Sequence, residues 1–263
     1  MAHQEVAYQL LRSGSVRIDM HIDDLYPQVI KGFLNLLTED EEYLEKWRLR
    51  MKDPNNPDKF IPRLHFDDDT DDLLLERKPD EKGHDEKDGF HYRPWAIPLL
   101  QLEGVDYERH LPFLEACHEL HSRCYTYWLR VCTELDRELP GRDFFARAVR
   151  SPFHCLRILQ YRKRRPGTEI IGRSHVDKCA ATVHLAEEHE ACILDGELLK
   201  FIPNQPVLFA AKKLENAVKD LPDGIKAMPH HVEVLEDCPE SRWVIVFFAH
   251  ICEGELFVDY SAR

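Results

Sequence analysis

Residues 155–187 read CLRILQYRKRRPGTEIIGRSHVDKCAATVHLAE. Three β-rich runs stand here, CLRILQY, EIIGRSHVD and AATVHLA, with a basic Pro-Gly stretch between the first two. Alternate residues of a strand face one side, so His175 and Asp177 point together. An imidazole and a carboxylate two positions apart can chelate one face of a metal ion. An isolated His-x-Asp arises often by chance. Here its weight comes from a β-run that ends just before it and another that follows.

The texture continues toward the C-terminus. ELLKFI, PVLFA, GIKAMPHHVEVL and RWVIVFFAH are further short β-rich runs between turn signals. About seven strands at this spacing predict a sandwich or jelly roll over residues 151–263. A third metal ligand has two candidates, His230 and His231, and adjacent strand residues face opposite ways, so at most one of them faces the metal. Two histidines and one carboxylate form a facial triad that leaves coordination positions open. Arg242 opens the apolar strand RWVIVFFAH, and a guanidinium there needs an anionic partner to offset its desolvation. A dicarboxylate co-substrate is one such partner. An internal salt bridge is the other.

Residues 1–150 predict a mainly helical buttress. DDLYPQVIKGFLNLL and EDEEYLEKWRLRM have helical spacing with acidic starts, after a short strand SVRIDM. Residues 111–136 form a long amphipathic helix, with Leu111, Leu114, Cys117, His121, Cys124, Trp128, Val131 and Leu135 on one stripe. His118 and His121 lie one turn apart there, and a place at the core edge suits them better than metal binding. Residues 67–88, DDDTDDLLLERKPDEKGHDEKD, read as a solvated loop and a candidate lid. A calcium loop fails because Asp72 stands where the turn needs Gly.

The stretches LRILQY, SHVD, VLFAAKKLE, AMPHHV and RWVIVFF together resemble the isopenicillin N synthase-like family of Fe(II)/2-oxoglutarate-dependent oxygenases. Asp177 and His230 are 53 positions apart, and His230 and Arg242 are 12 apart, in the family's order. The resemblance covers most of the chain. It implies one α+β oxygenase domain over residues 1–263, whose core is a double-stranded β-helix (jelly roll). It implies Fe(II) on His175, Asp177 and His230, with His231 in the place of the family's arginine. It also implies 2-oxoglutarate on Arg242 and Tyr161, and O2 as oxidant. The implied reaction hydroxylates a small molecule, or desaturates or cyclises it, with release of succinate and CO2. Retention of Asp177, where related halogenases have Gly or Ala, favours these outcomes over halogenation. Two departures bear on the co-substrate: Val244 replaces the family's Ser, and Leu159 replaces a frequent Asn.

The bulk properties agree with such a chain. A formal charge of −13 disfavours non-specific contact with nucleic acid or an anionic membrane, so a small-molecule partner is expected. No apolar run reaches membrane-spanning length and the first residues lack a secretory pattern, which predicts a cytoplasmic protein. The eight cysteines form no CxxC pair and read as reduced core thiols. Oligomeric state is not legible. Arg157 and Arg173 share parity with Tyr161 and His175, and either line the pocket or lie solvated outside. His184 and His189 are a weaker metal pair, read as a strand end and a loop. The rival functions are a non-catalytic metal-binding barrel with an interaction or sensing role, and a metal enzyme that needs no 2-oxoglutarate.

Overall fold

One sheet with two different faces organises the chain. The computed structural model describes residues 4–53, 56–60, 73–78, 87–161, 170–221, 224–233 and 241–252. In chain order, α1 is Gln4–Ser13, β1 Ser15–Arg17, α2 Tyr26–Leu36 and α3 Glu41–Glu45. A small ladder, β2 (Lys52–Asp53) with β3 (Asn56–Phe60), precedes β4 (Leu75–Lys78) and β5 (Lys87–Tyr92). Next come α4 (Ala96–Leu102), α5 (Leu111–Glu138) and α6 (Phe144–Val149). The C-terminal part holds β6 (Cys155–Tyr161), β7 (Ile170–His175), β8 (Ala181–Glu187), β9 (Cys192–Leu194), β10 (Glu197–Leu198), β11 (Val207–Ala210), α7 (Lys212–Ala217), β12 (His230–Glu233) and β13 (Arg242–Ala249).

Among the described residues the major sheet has seven antiparallel strands in the order β1-β11-β8-β13-β6-β5-β4. The minor sheet has four, β10-β9-β12-β7. Alternation along β6 and β13 divides the side chains. Leu156, Ile158, Ile245 and Phe247 join the main core, which also holds Leu120, Cys124 and Trp128 of α5. Cys155, Leu159, Tyr161, Val244 and Phe248 fall in separate clusters on the other face. That second face looks into the space beside the minor sheet.

The helices form as their residues direct. Pro27 and Pro112 start α2 and α5, where the lost N–H costs nothing. The Asp40 carboxylate caps α3 by accepting from the Tyr43 amide at 2.8 Å. Trp128 of α5 anchors the helix to the end of the last described strand by donating its indole N–H to the His250 carbonyl at 3.1 Å. Gly32 allows α2 to lie directly on α5, since a Cβ there would sit 2.5 Å from Phe113 Cβ. No helix among the described residues is long and apolar enough to cross a membrane.

Three expectations need correction. The first half is not only a helical buttress, because β1, β4 and β5 complete the major sheet. The 67–88 segment is not one solvated loop. Residues 75–78 and 87–88 lie in strands, with Glu76, Lys87 and Asp88 buried. Residues 67–72 and 79–86, with any role as a lid, lie outside the described residues. ELLKFI yields only the two-residue β10, paired to β9 through a tight turn at Asp195 and Gly196, whose φ values are 50° and 85°. Seven cysteines, at 117, 124, 132, 155, 179, 192 and 252, are buried free thiols, while Cys238 lies outside the described residues.

His121, His154 and His250 are buried close together behind the major sheet. Burial pushes the His121 pKa down to about 3 and that of His154 to about 4, and lowers that of His250 well below its ordinary value. Each is neutral when folded and titrates near 6.5 when unfolded. Their contribution is therefore full above pH 6.5 and declines as pH falls below it. Urea unfolding between pH 6.5 and 5 is expected to lose stability with a slope that approaches about 1.4 kcal/mol per pH unit for each of the three. A flat profile in that window would show that these imidazoles are not buried neutral.

Candidate metal centre and its cavity

The minor sheet supplies the metal-ligand candidates. β7 and β12 pair antiparallel with His230 opposite His175, and their rings lie 4.3 Å apart between centroids. Asp177 follows β7 by two residues and is buried. One ligand atom each from His175, Asp177 and His230 lies within 4.8 Å of the others. His175 Nε2 is 3.6 Å from Asp177 Oδ1, and His230 Nε2 is 3.7 Å from Oδ2.

The surroundings orient all three groups. Nδ1 of His175 donates to the Arg173 carbonyl at 2.8 Å, and Nδ1 of His230 to the Met228 carbonyl at 3.3 Å. A carbonyl only accepts, so in each ring the proton sits on Nδ1 and the Nε2 lone pair is aimed at the shared point. Thr182 Oγ1 donates to Asp177 Oδ2 at 2.5 Å. The Lys212 amide donates to the Asp177 carbonyl at 2.9 Å and fixes the backbone there. Burial disfavours charge on His175, yet the hydrogen bond and charge of Asp177 outweigh it and raise its pKa. For His230 burial prevails and the pKa is lowered. Two imidazoles with Nε2 turned inward and one carboxylate, aimed together, suit a divalent transition metal such as Fe(II). His231 turns away, as alternation requires, to bond Glu233 at 2.7 Å.

The triad opens into a cavity of about 300 Å³ between the sheets. The inner face of the major sheet forms its wall through Arg157, Leu159, Tyr161, Thr182, His184, Arg242, Val244, Val246 and Phe248. Register places Arg242 opposite Tyr161, and Tyr161 opposite Lys87. The guanidinium of Arg242 lies 5.3 Å from the centre of the Tyr161 ring. The anionic partner that a buried Arg242 demands is present in the chain: its Nη2 pairs with Glu187 Oε2, and both groups are buried. Among the described residues, its Nε and Nη1 have no hydrogen-bond partner. Glu187 also faces His184 at 3.4 Å. Burial opposes charge on His184, but Glu187 carries its pKa up to about 10.

Local sequence signals do not single out Thr182, Glu187 or Lys87. His184, expected at a strand end, sits inside β8 and lines the cavity, whereas His189 lies beyond that strand. His121 is buried and His118 sits beside Tyr92, both away from the cavity wall. Arg157 and Arg173 both line the cavity, Arg173 exposed and Arg157 buried.

No protein-family model matches this chain. No curated protein matches it either. Solved structures do match. The 2-oxoglutarate complex of AtDAO1, dioxygenase for auxin oxidation 1 from Arabidopsis thaliana, aligns at TM-score 0.66 and 11% identity over 95% of this chain and 88% of that one. A full-length Neurospora crassa protein solved in complex with alpha-KG and thymine aligns at TM-score 0.66 and 15% identity, over 95% and 80% of the two chains. A 2OG-Fe(II) oxygenase family protein from Caulobacter crescentus aligns at TM-score 0.61 and 18% identity, over 95% and 81%. At these identities the likeness is one of fold: this chain has the mixed helix and antiparallel-sheet architecture of 2-oxoglutarate oxygenase structures.

Titration with Mn(II) under anaerobic conditions checks the centre. Alanine at His175, Asp177 or His230 is expected to abolish binding. Thr182→Val removes the bond to the carboxylate, together with the hydroxyl's contact to Cys179 Sγ at 3.3 Å, and is expected to weaken metal affinity by about 10- to 100-fold. Wild-type affinity in Thr182→Val would show that the hydroxyl does not orient Asp177.

Proposed function

We propose that the chain is a non-haem Fe(II)- and 2-oxoglutarate-dependent dioxygenase acting on a small molecule, one oxygenase domain with a double-stranded β-helix core. One observation carries the reading: a His-Asp-His triad and a buried, half-partnered arginine face the same cavity between two sheets. The resemblance to the isopenicillin N synthase-like family supports it. So do the ligands held by the similar structures, 2-oxoglutarate in AtDAO1 and alpha-KG with thymine in the Neurospora crassa protein.

In this reading His175, Asp177 and His230 hold Fe(II). With O2 and 2-oxoglutarate, the bound metal supplies an oxidant strong enough for an unactivated C–H bond; one oxygen atom ends in succinate and one in the product, and CO2 leaves. Thr182 keeps the Asp177 carboxylate turned toward the metal. Arg242 offers a remaining N–H, at Nη1 or Nε, to the distal carboxylate of 2-oxoglutarate, while Glu187 holds the guanidinium at Nη2. The Tyr161 ring packs against that guanidinium, and its hydroxyl is a second donor to the co-substrate. Val244 contributes no hydrogen bond there, so no hydroxyl at that position needs a partner when the co-substrate is away. Leu159, Val244, Val246 and Phe248 keep that wall apolar and limit water.

The Arg242–Glu187 pair favours a second reading, in which Arg242 is structural and the protein is a 2-oxoglutarate-independent metal enzyme or a non-catalytic barrel. Succinate formation with Fe(II), ascorbate and 2-oxoglutarate separates the readings. Turnover is expected in the native protein and absent in His175→Ala. Arg242→Lys keeps a cation beside Glu187 but loses the fork, and is expected to raise the KM for 2-oxoglutarate by roughly 30-fold or more. An unchanged KM would assign the co-substrate to another cation.

A further inference from the structure

The cavity is lined by more cationic side chains than the distal carboxylate of one co-substrate engages. Lys87, Arg157, Arg173 and Arg242 line it, and among the described lining residues the single carboxylate is Asp177, a metal-ligand candidate. Glu76 and Glu187 are not among the lining residues and are paired to Arg157 and Arg242. The chain as a whole carries −13, so the cationic lining is a local feature and not an extension of a basic surface.

The two buried arginines occupy different rungs of the sheet. Arg242 lies opposite Tyr161, whereas Arg157 lies opposite Val246, with Leu159 and Val244 on the inward rung between them. Arg157 and Tyr161 are four residues apart on β6, about 13 Å along a strand. A five-carbon diacid bound to the metal at one end has a single distal carboxylate, and it cannot serve both rungs. Arg157 is also held in place. Glu76 accepts from its Nη2 at 3.3 Å and faces His91 at 3.6 Å, all three groups being buried. A guanidinium fixed in this way presents its donors with little ordering cost.

We infer that Arg157 determines substrate specificity by receiving the carboxylate of a small organic acid, whose apolar body lies against Val246 and Phe248. This rests on the oxygenase reading above, with the distal carboxylate of 2-oxoglutarate left to Arg242. A cavity of about 300 Å³ is at the lower end for ligand pockets, so the acid is small.

The test uses the Fe(II)-loaded full chain with 2-oxoglutarate and ascorbate, and reads succinate. The probes are hexanoate, cyclohexanecarboxylate, phenylacetate and 3-phenylpropionate, each beside its carboxamide. At least one acid is expected to stimulate succinate formation at least 10-fold more than its amide. Arg157→Met is expected to cut that preference at least 10-fold, with the KM of the acid rising and not that of 2-oxoglutarate. Arg157→Lys, which keeps a cation next to Glu76, should recover part of it, and it also serves if the methionine variant does not fold. The inference is overturned, with the oxygenase reading intact, if native protein turns over 2-oxoglutarate but amides match the acids or no acid stimulates. It is also overturned if either variant raises the KM for 2-oxoglutarate instead. No succinate under any native condition would sink the oxygenase reading itself, and this inference with it.

Discussion

The carboxylate of Asp177 is the point at which the two sheets are tied together. It belongs to the segment after β7, yet its Oδ2 is held by Thr182 of the major sheet. Its backbone carbonyl is held by the first residue of α7. A buried carboxylate with histidines at 3.6 and 3.7 Å is costly unless its charge is shared. Thr182 supplies a neutral donor, and a bound divalent cation would supply the remainder. The pairing of β7 with β12 then decides the geometry, because it sets His230 opposite His175 and brings both rings to one side of that carboxylate.

The major sheet makes this arrangement possible through alternation alone. Its outward residues bury against α5 and fix the strands, and its inward residues face the triad across the cavity. The same alternation that buries Ile158 and Ile245 in the core sends Arg157 and Arg242 inward. Such arginines are destabilising unless each meets an anion, and each does: Glu76 from β4 and Glu187 from β8. The edge strands that the N-terminal half lends to the sheet are thus part of the electrostatics of the cavity, and not only its outer wall.

The legible part of the fold is the part with short-range signals. The period of two in CLRILQY and RWVIVFFAH, and the His-x-Asp spacing, place the strands and two ligand candidates. Alternation also separates His230 from His231. The illegible part depends on pairing between distant segments. β4 and the start of β5 lie inside a charge-dense run, and local composition reads them as solvated. Only their pairing with one another and with β6 explains the burial of Glu76, Lys87 and Asp88. Glu187 cannot be assigned to Arg242 from sequence, since the two are 55 residues apart and meet only through the β8–β13 ladder. The Asp195-Gly196 hairpin is different. Its turn signal is present in the sequence, but the apolar run after it suggests a longer strand than the two residues that pair.

Glu187 needs a physical reason, because an arginine meant for a ligand attracts that ligand best when no other anion touches it. A buried guanidinium with no anion is strongly destabilising, so the ligand-free fold needs a counter-charge. A carboxylate on both edges of Arg242 would cancel its attraction for a third. Glu187 meets only Nη2 and shares its charge with His184, whose own protonation it favours. The trio therefore keeps a net positive character while leaving Nε and Nη1 for another acceptor. Partial neutralisation of this kind stabilises the ligand-free fold and still leaves donors of the arginine for an incoming carboxylate.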